Sequence, residues 1–241
     1  MIRKIGFIGI CLIALSLGLS AQTVKPLEEK AFNFGGKVGL NADFPIINSF
    51  TADGKEVDNL HIQYKVGYLA SLFCRINIER FFIQPCISLH HSSGDIYFTL
   101  PTSEQVDGNI NNSTSNCLST KFRSVEMPIM IGYHFIRQGP YGLSLMLGPK
   151  LKYNYKNSYT STVLGNWQSF ESDNTPFGVN VAAGVGVSIW RLFFDFVYEL
   201  GVNQEKSDFI HKVTPTTLET PHKFCIDRRI NVMSFSLGFL F

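Results

Sequence analysis

The last residues of the chain alternate between large apolar and small side chains. Ser234, Ser236 and Gly238 occupy even positions. The odd positions are all large and apolar: Met233, Phe235, Leu237, Phe239 and Phe241. Successive side chains of a β-strand point to opposite faces, so this pattern predicts a strand with one apolar and one small, polar face. Such a strand is typical of a transmembrane barrel, with apolar side chains toward lipid and polar ones toward the lumen.

The same period of two recurs along the whole chain and predicts eight strands. They cover residues 32–44, 60–72, 81–90, 124–135, 141–155, 177–189, 192–203 and 231–241. Most of them approach or exceed the roughly 9–11 residues that a tilted strand needs to cross a bilayer.

The predicted connections alternate between short and long. Strands two and three, four and five, and six and seven are joined near Asn77, Gly139 and Arg191. The other connections are long and polar, such as 94–119 and 204–224. This asymmetry predicts short periplasmic turns and long extracellular loops. The expected fold is therefore an all-β, eight-stranded antiparallel transmembrane barrel spanning residues 32–241.

A soluble, lipocalin-like barrel is the rival interpretation, because its apolar faces would point inward. The apolar faces here are uniformly large, whereas the polar faces hold most of the glycines. The interior of an eight-stranded barrel is only wide enough for side chains, which favours small and polar residues inside. We therefore expect the apolar side chains to face lipid.

The N-terminal residues resemble a secretory signal peptide. Arg3 and Lys4 precede an apolar core over residues 5–19, and Ala21 offers a small residue for cleavage. A retained membrane anchor is the alternative, but the core is shorter than the roughly 20 residues that a spanning helix needs. We predict a signal peptide over residues 1–21, a short periplasmic segment over 22–31, and an outer-membrane location.

The composition fits an exported barrel and limits the classes of molecule that are expected to bind it. Charged residues make up 17% of the chain, aromatic residues 13%, and the formal net charge is +2. This near-neutral balance argues against a nucleic-acid partner. The expected partners are outer-membrane lipid and lipopolysaccharide, the barrel-assembly machinery, and other envelope or secretion proteins. No cofactor, metal site or catalytic site is predicted.

The parity of their positions, even or odd along each predicted strand, places several charged side chains on the inward face. They are Lys37, Lys65, Glu126, Lys150, Lys152, Asp195 and Glu199. Charges inside a narrow barrel must pair or remain hydrated. We expect a salt-bridged interior, with Glu126 and Lys150 as the first candidate pair because strands four and five are adjacent. An ion-conducting path is the alternative.

Two further features suggest specific roles. Phe235, Phe239 and Phe241 are interpreted as a C-terminal signal for insertion by the assembly machinery. Cys117 and Cys225 lie in or beside extracellular loops and are candidates for a disulfide, because exported proteins meet oxidising conditions.

His90 and Ser92 share a strand face and raise the possibility of a nucleophilic site, because outer-membrane lipid A deacylases use a His-x-Ser pair. Parity directs His90 toward the lumen, where a lipid substrate does not lie. We therefore expect no catalysis.

Three stretches resemble a known family. Residues 34–41 (FGGKVGLN) resemble the first strand, and 125–135 (VEMPIMIGYHF) the fourth strand, of the PorT-type outer-membrane β-barrel family of Bacteroidota; residues 229–241 are similar to its last strand. The resemblance covers essentially the whole chain after the signal peptide. It implies an interaction barrel and, by analogy of fold with the family's namesake, an accessory role in type IX protein secretion. A small porin-like channel and a lipid-modifying enzyme remain the second and third hypotheses.

Overall fold

The computed structural model describes residues 31–52, 54–57, 60–98, 116–138, 140–163, 166–170, 177–211 and 222–241. The predicted signal peptide and nearly all of the segment 22–31 lie outside these residues. The strands are β1 (Phe32–Ala52), β2 (Lys55–Glu56), β3 (His61–Tyr64), β4 (Val66–Ile78), β5 (Phe81–Phe98), β6 (Asn116–Gln138), β7 (Tyr141–Val163), β8 (Asn166–Phe170), β9 (Phe177–Ile189), β10 (Leu192–Gly201), β11 (Glu205–His211) and β12 (His222–Leu240). Within the described part of the chain, no helix is long and apolar enough to cross a membrane.

These strands close into one antiparallel barrel. The continuous path runs β1, β4, β5, β6, β7, β9, β10 and β12, and β12 then pairs with β1. The closing ladder extends from the pair Gly35 and Leu240 to the pair Ala52 and Phe224. Short strands continue this path at one end, with β3 pairing with β5, β8 with β7, and β11 with β12. The predicted all-β, eight-stranded barrel is thus confirmed.

Several strands extend well beyond their predicted bounds at the extracellular end. β6 begins at Asn116 rather than 124, and β12 begins at His222 rather than 231. Residues expected in the loops 94–119 and 204–224 therefore belong partly to β5, β6, β11 and β12. The sequence rule missed them because these segments stand above the lipid, where outward side chains become polar and the apolar alternation is lost.

The opposite end has tight turns. Glu79 and Trp190 adopt positive φ angles of 54° and 58° in the turns that follow β4 and β9. Left-handed backbone at a non-glycine residue is uncommon and is characteristic of tight turns. These turns form the periplasmic end of the barrel.

The two faces of the wall differ as the period of two predicts. On β12, Phe235 is 54% exposed, whereas Ser236 is 3% exposed. The same alternation runs along β10, where every second residue from Phe193 to Gly201 is buried. The outer surface is therefore apolar, and the interior holds the small and polar side chains.

The interior is filled in three layers. An aromatic and aliphatic cluster occupies the extracellular third: Phe50, Val57, Ile96, Phe98, Leu118, Phe122, Tyr159, Phe224 and Ile226. Two apolar clusters occupy the periplasmic third, around Phe82 and around Phe73 and Phe193. The buried charges Glu126, Lys150 and Glu199 lie between these layers. Sequence parity locates the charges but does not reveal that apolar side chains cover them at both ends.

Candidate functional site in the barrel interior

The centre of the interior is a buried ion network built around Lys150. Its ammonium group forms an ion pair with Glu126 on the neighbouring strand and reaches both carboxylate oxygens of Glu199 at 2.7 Å. The side chains of Lys150, Glu126 and Glu199 are 6%, 2% and 5% exposed. The ion pair between Glu126 and Lys150 that the sequence suggests is therefore present. A cation shared between two buried carboxylates ties β6, β7 and β10 together.

His90 extends this network toward β1. Its Nδ1 atom lies 3.2 Å from a Glu126 carboxylate oxygen. Its Nε2 atom lies 2.7 Å from the side-chain amide of Asn41 and 3.5 Å from the Asp43 carboxylate. Ser124 donates a hydrogen bond to the second Glu126 oxygen at 3.1 Å. Buried polar groups are costly unless they are hydrogen-bonded, and these contacts satisfy most of this cluster.

Two further ion pairs lie beside the central network. Lys37 on β1 donates to Asp195 on β10 at 3.1 Å, although 158 positions separate them in the chain. Lys152 lies 3.8 Å from Glu205, which belongs to β11. These contacts join strands that are not neighbours in the wall, so they cross the interior.

Lys65 is the exception among the predicted lumen residues. It lies at the break between β3 and β4, where its side chain is 42% exposed and pairs with Asp95 at 2.7 Å. The prediction that Lys65 belongs to the buried network is therefore wrong. Strict alternation assigned it inward, but Lys65 stands at the interruption of the strand, where its side chain reaches solvent; the predicted alternation resumes with the exposed Val66 and the buried Gly67.

Arg75 is a further buried cation, which is absent from the predicted inward-facing set. It donates to Gln84 at 2.8 Å, and its guanidinium carbon lies 4.6 Å from the ring centroid of Phe82. The rings of Phe73 and Phe193 also surround it, at 5.8 and 5.6 Å. Cation–π contacts of this kind strengthen when they are removed from water. The aromatic ring set and the arginine together close the periplasmic end of the interior.

Arg228 is another buried cation that packs against an aromatic ring, here beside the extracellular apolar layer. It is 1% exposed, donates to the Tyr159 hydroxyl at 3.3 Å, and lies 4.5 Å from the centroid of Phe122. The sequence signal for its burial is its position between Ile226 and Ile230, which share a strand face with it. Arg228 precedes the predicted strand 231–241, so the alternation within that strand does not assign it to a face.

The geometry around His90 does not assemble a nucleophilic site. Both ring nitrogens face other partners, namely Glu126 on one side and Asn41 with Asp43 on the other. A general base needs an available nitrogen within hydrogen-bonding reach of the hydroxyl that it activates. Within the described residues, no group of three or more potential ligands is arranged to hold a metal ion.

Cys117 and Cys225 do not form a disulfide. Cys117 lies on β6 opposite Tyr97, and Cys225 lies on β12 opposite Thr51. These are the fourth and eighth strands of the barrel wall, so they stand on opposite sides. Both residues flank inward-facing neighbours and therefore point outward. The predicted disulfide between Cys117 and Cys225 is therefore wrong. Cysteines on opposite outer faces cannot approach to the 4.4–6.8 Å between Cα atoms that a disulfide needs.

The C-terminal aromatic residues lie on the outer face of β12. Phe235, Phe239 and Phe241 are 54%, 37% and 66% exposed. The backbone N–H of Phe241 donates to the carbonyl of Phe34 at 2.8 Å, so the chain end is paired with β1. The terminal aromatic therefore stands at the periplasmic rim of the closing seam.

A family model described as "Outer membrane protein beta-barrel domain" matches residues 20–207. The chain belongs to this family. Its membership and the apolar outer face place the protein in the outer membrane, as the sequence predicts. No curated protein matches the chain.

Three solved outer-membrane proteins are similar to the chain at low sequence identity. OprG from Pseudomonas aeruginosa is 11% identical with a TM-score of 0.53, and the alignment covers 88% of this chain and 97% of that one. Neisserial surface protein A is 12% identical with a TM-score of 0.39, covering 88% and 98%. Ail from Yersinia pestis is 11% identical with a TM-score of 0.39, covering 88% and 100%. At this identity, the likeness to OprG indicates the fold alone.

Proposed function

We propose that this protein is a non-conducting outer-membrane barrel that works through its surfaces, as an interaction partner of other envelope proteins. The observation that carries the proposal is the filled interior. Apolar layers around Phe98 and Phe82 cover the buried ion network on both sides. An eight-stranded barrel has an interior only wide enough for side chains, and these side chains occupy it.

The small-channel alternative requires a hydrated path along the axis. The central charges are instead paired with one another at short distance, as in Lys150 with Glu199 at 2.7 Å. Ions would have to break these pairs and pass two apolar layers. This arrangement favours a structural role for the charges.

The finer proposal is an accessory role in type IX protein secretion. It is supported by the resemblance of residues 34–41, 125–135 and 229–241 to the PorT-type family. The extracellular extension of the strands gives such a barrel a large polar surface above the lipid for contacts with other proteins.

Conductance in planar bilayers tests the non-conducting role. Protein extracted from outer membranes and shown to be folded by its heat-dependent gel mobility should produce no stepwise current. Reproducible steps of a single size would refute the filled-lumen argument.

Deletion of the gene tests the secretion role separately. The deletion strain should retain type IX cargo inside the cell, and a plasmid copy of the gene should restore secretion. Normal cargo secretion in the deletion strain would refute the accessory role while leaving the non-conducting barrel intact.

A further inference from the structure

One wall of the barrel carries a cluster of cations just above the lipid-facing band. In the last apolar row, Leu89 on β5 pairs with Val125 on β6, which pairs with Tyr153 on β7. The next outward row toward the extracellular end contains His91, Arg123 and Lys156, paired in the same order. One row higher, Lys121 lies between Ser93 and Ser158.

These cations are close together and face outward. Lys121, Arg123 and Lys156 are exposed, whereas Phe122 and Ser124, which alternate with them, are buried. Neighbouring strands lie about 4.8 Å apart, and successive residues on one face are about 7 Å apart. Three positive groups are therefore presented within the span of one lipid headgroup.

The cluster has no balancing acid on its own wall. β5, β6 and β7 contain two acidic residues, Asp95 and Glu126. Asp95 is bonded to Lys65 and Ser119, and Glu126 is buried inside the barrel. None of the three cations forms an ion pair with another described residue.

Arg123 and Lys156 also stand directly opposite each other in the β6–β7 ladder. Like charges in directly opposite cross-strand positions destabilise a sheet unless an anion lies between them. The other side of the barrel is different, because Lys206 on β11 pairs directly with Asp227 on β12. The unbalanced charge is therefore a local feature of one wall.

We propose that His91, Arg123, Lys156 and Lys121 form a binding site for the phosphate groups of a phosphorylated glycolipid in the outer leaflet, of the lipid A type. The apolar row below receives the acyl chains. Tyr68, whose ring centroid lies 4.8 Å from that of His91 in a tilted arrangement, borders the site at headgroup level. Cations next to a membrane surface attract anionic headgroups in this way. The proposal depends on the outer-membrane location and is independent of any role in secretion.

The test compares lipid A binding by the folded protein in detergent with binding by the double variant Arg123→Gln/Lys156→Gln. Each Lys or Arg near an anionic lipid surface strengthens lipid binding, and losing two of them should weaken the binding affinity roughly 30-fold. The matched control is Lys206→Gln/Arg229→Gln on the opposite wall, which should change binding about twofold or less. Dephosphorylated lipid A should bind the unmodified protein as weakly as lipid A binds the double variant.

Three outcomes would overturn the proposal. They are equal binding by the double variant and the unmodified protein, an equal loss in the control, and no preference for phosphorylated over dephosphorylated lipid. Inorganic phosphate is the competitor that separates the two sources of phosphate. If it displaces lipid A at equimolar concentration, the site binds free phosphate and the lipid assignment is wrong.

Discussion

Replacing Lys150 with methionine should strongly destabilise the barrel. The ammonium of Lys150 is the cation shared by Glu126 and Glu199, and all three side chains are at most 6% exposed. Methionine preserves most of the volume, so packing changes little. The substitution leaves the buried Glu199 carboxylate without its cation, and leaves Glu126 with only His90 and Ser124 as partners.

The magnitude follows from that burial. Removing one partner of a buried ion pair costs about 3–5 kcal/mol, because the remaining charge is neither paired nor hydrated. Here two carboxylates are left, so we expect a loss at the upper end of that range. The triple variant Glu126→Gln/Lys150→Met/Glu199→Gln removes all three charges and should recover most of the lost stability, because no unpaired charge remains.

The assay is equilibrium urea unfolding in detergent micelles, followed by far-ultraviolet circular dichroism. The control is Lys55→Met, an exposed residue of β2, which should change the free energy of unfolding by about 0.5 kcal/mol or less. A loss below about 1 kcal/mol for Lys150→Met would refute the reasoning. It would mean that water reaches the central charges, and the case for a filled lumen would weaken with it.

Three further predictions concern other parts of the barrel. Gly132→Ala should cost about 1–3 kcal/mol in the same urea assay, because a Cβ there would lie 2.0 Å from the buried Phe82 ring; Gly36→Ala, whose nearest contact would be at 3.5 Å, should be nearly neutral, and equal effects would contradict this packing. Removal of Phe241 should lower the amount of barrel in isolated outer membranes, because the terminal aromatic and its backbone hydrogen bond to β1 are lost; normal membrane levels would count against an insertion signal. Cys117→Ser should leave the midpoint of unfolding unchanged with or without a reducing agent, and a drop seen under oxidising conditions alone would reveal a disulfide.

The period of two in the sequence was sufficient to predict the membrane-facing part of the fold. The alternation of Phe235 and Ser236 or of Phe196 and Asp195 reports which side chain meets lipid, because lipid tolerates apolar groups and a narrow interior requires small or paired ones. The same parity placed Glu126 and Lys150 on one face of adjacent strands, so their pairing could be anticipated from local order.

Local patterns were insufficient above the lipid. There the outer face meets water, so Arg123 and Lys121 alternate with the buried Phe122 and the lipid-facing pattern is absent. For this reason the alternation predicts loops where the strands in fact extend. At the break between β3 and β4 the alternation assigned Lys65 wrongly, although the predicted alternation holds again from the exposed Val66 and the buried Gly67 onward.

The sequence by itself determined that this chain forms a barrel in the outer membrane, since period and loop length are properties of neighbouring residues. Closure of the barrel determines the contacts between residues that are far apart in the sequence. It brings Lys37 within 3.1 Å of Asp195 across 158 positions and surrounds Arg75 with the rings of Phe73, Phe82 and Phe193. It also aligns Arg123 with Lys156 on the outer face. Such contacts depend on which strands meet and in what register, and only the tertiary structure specifies both.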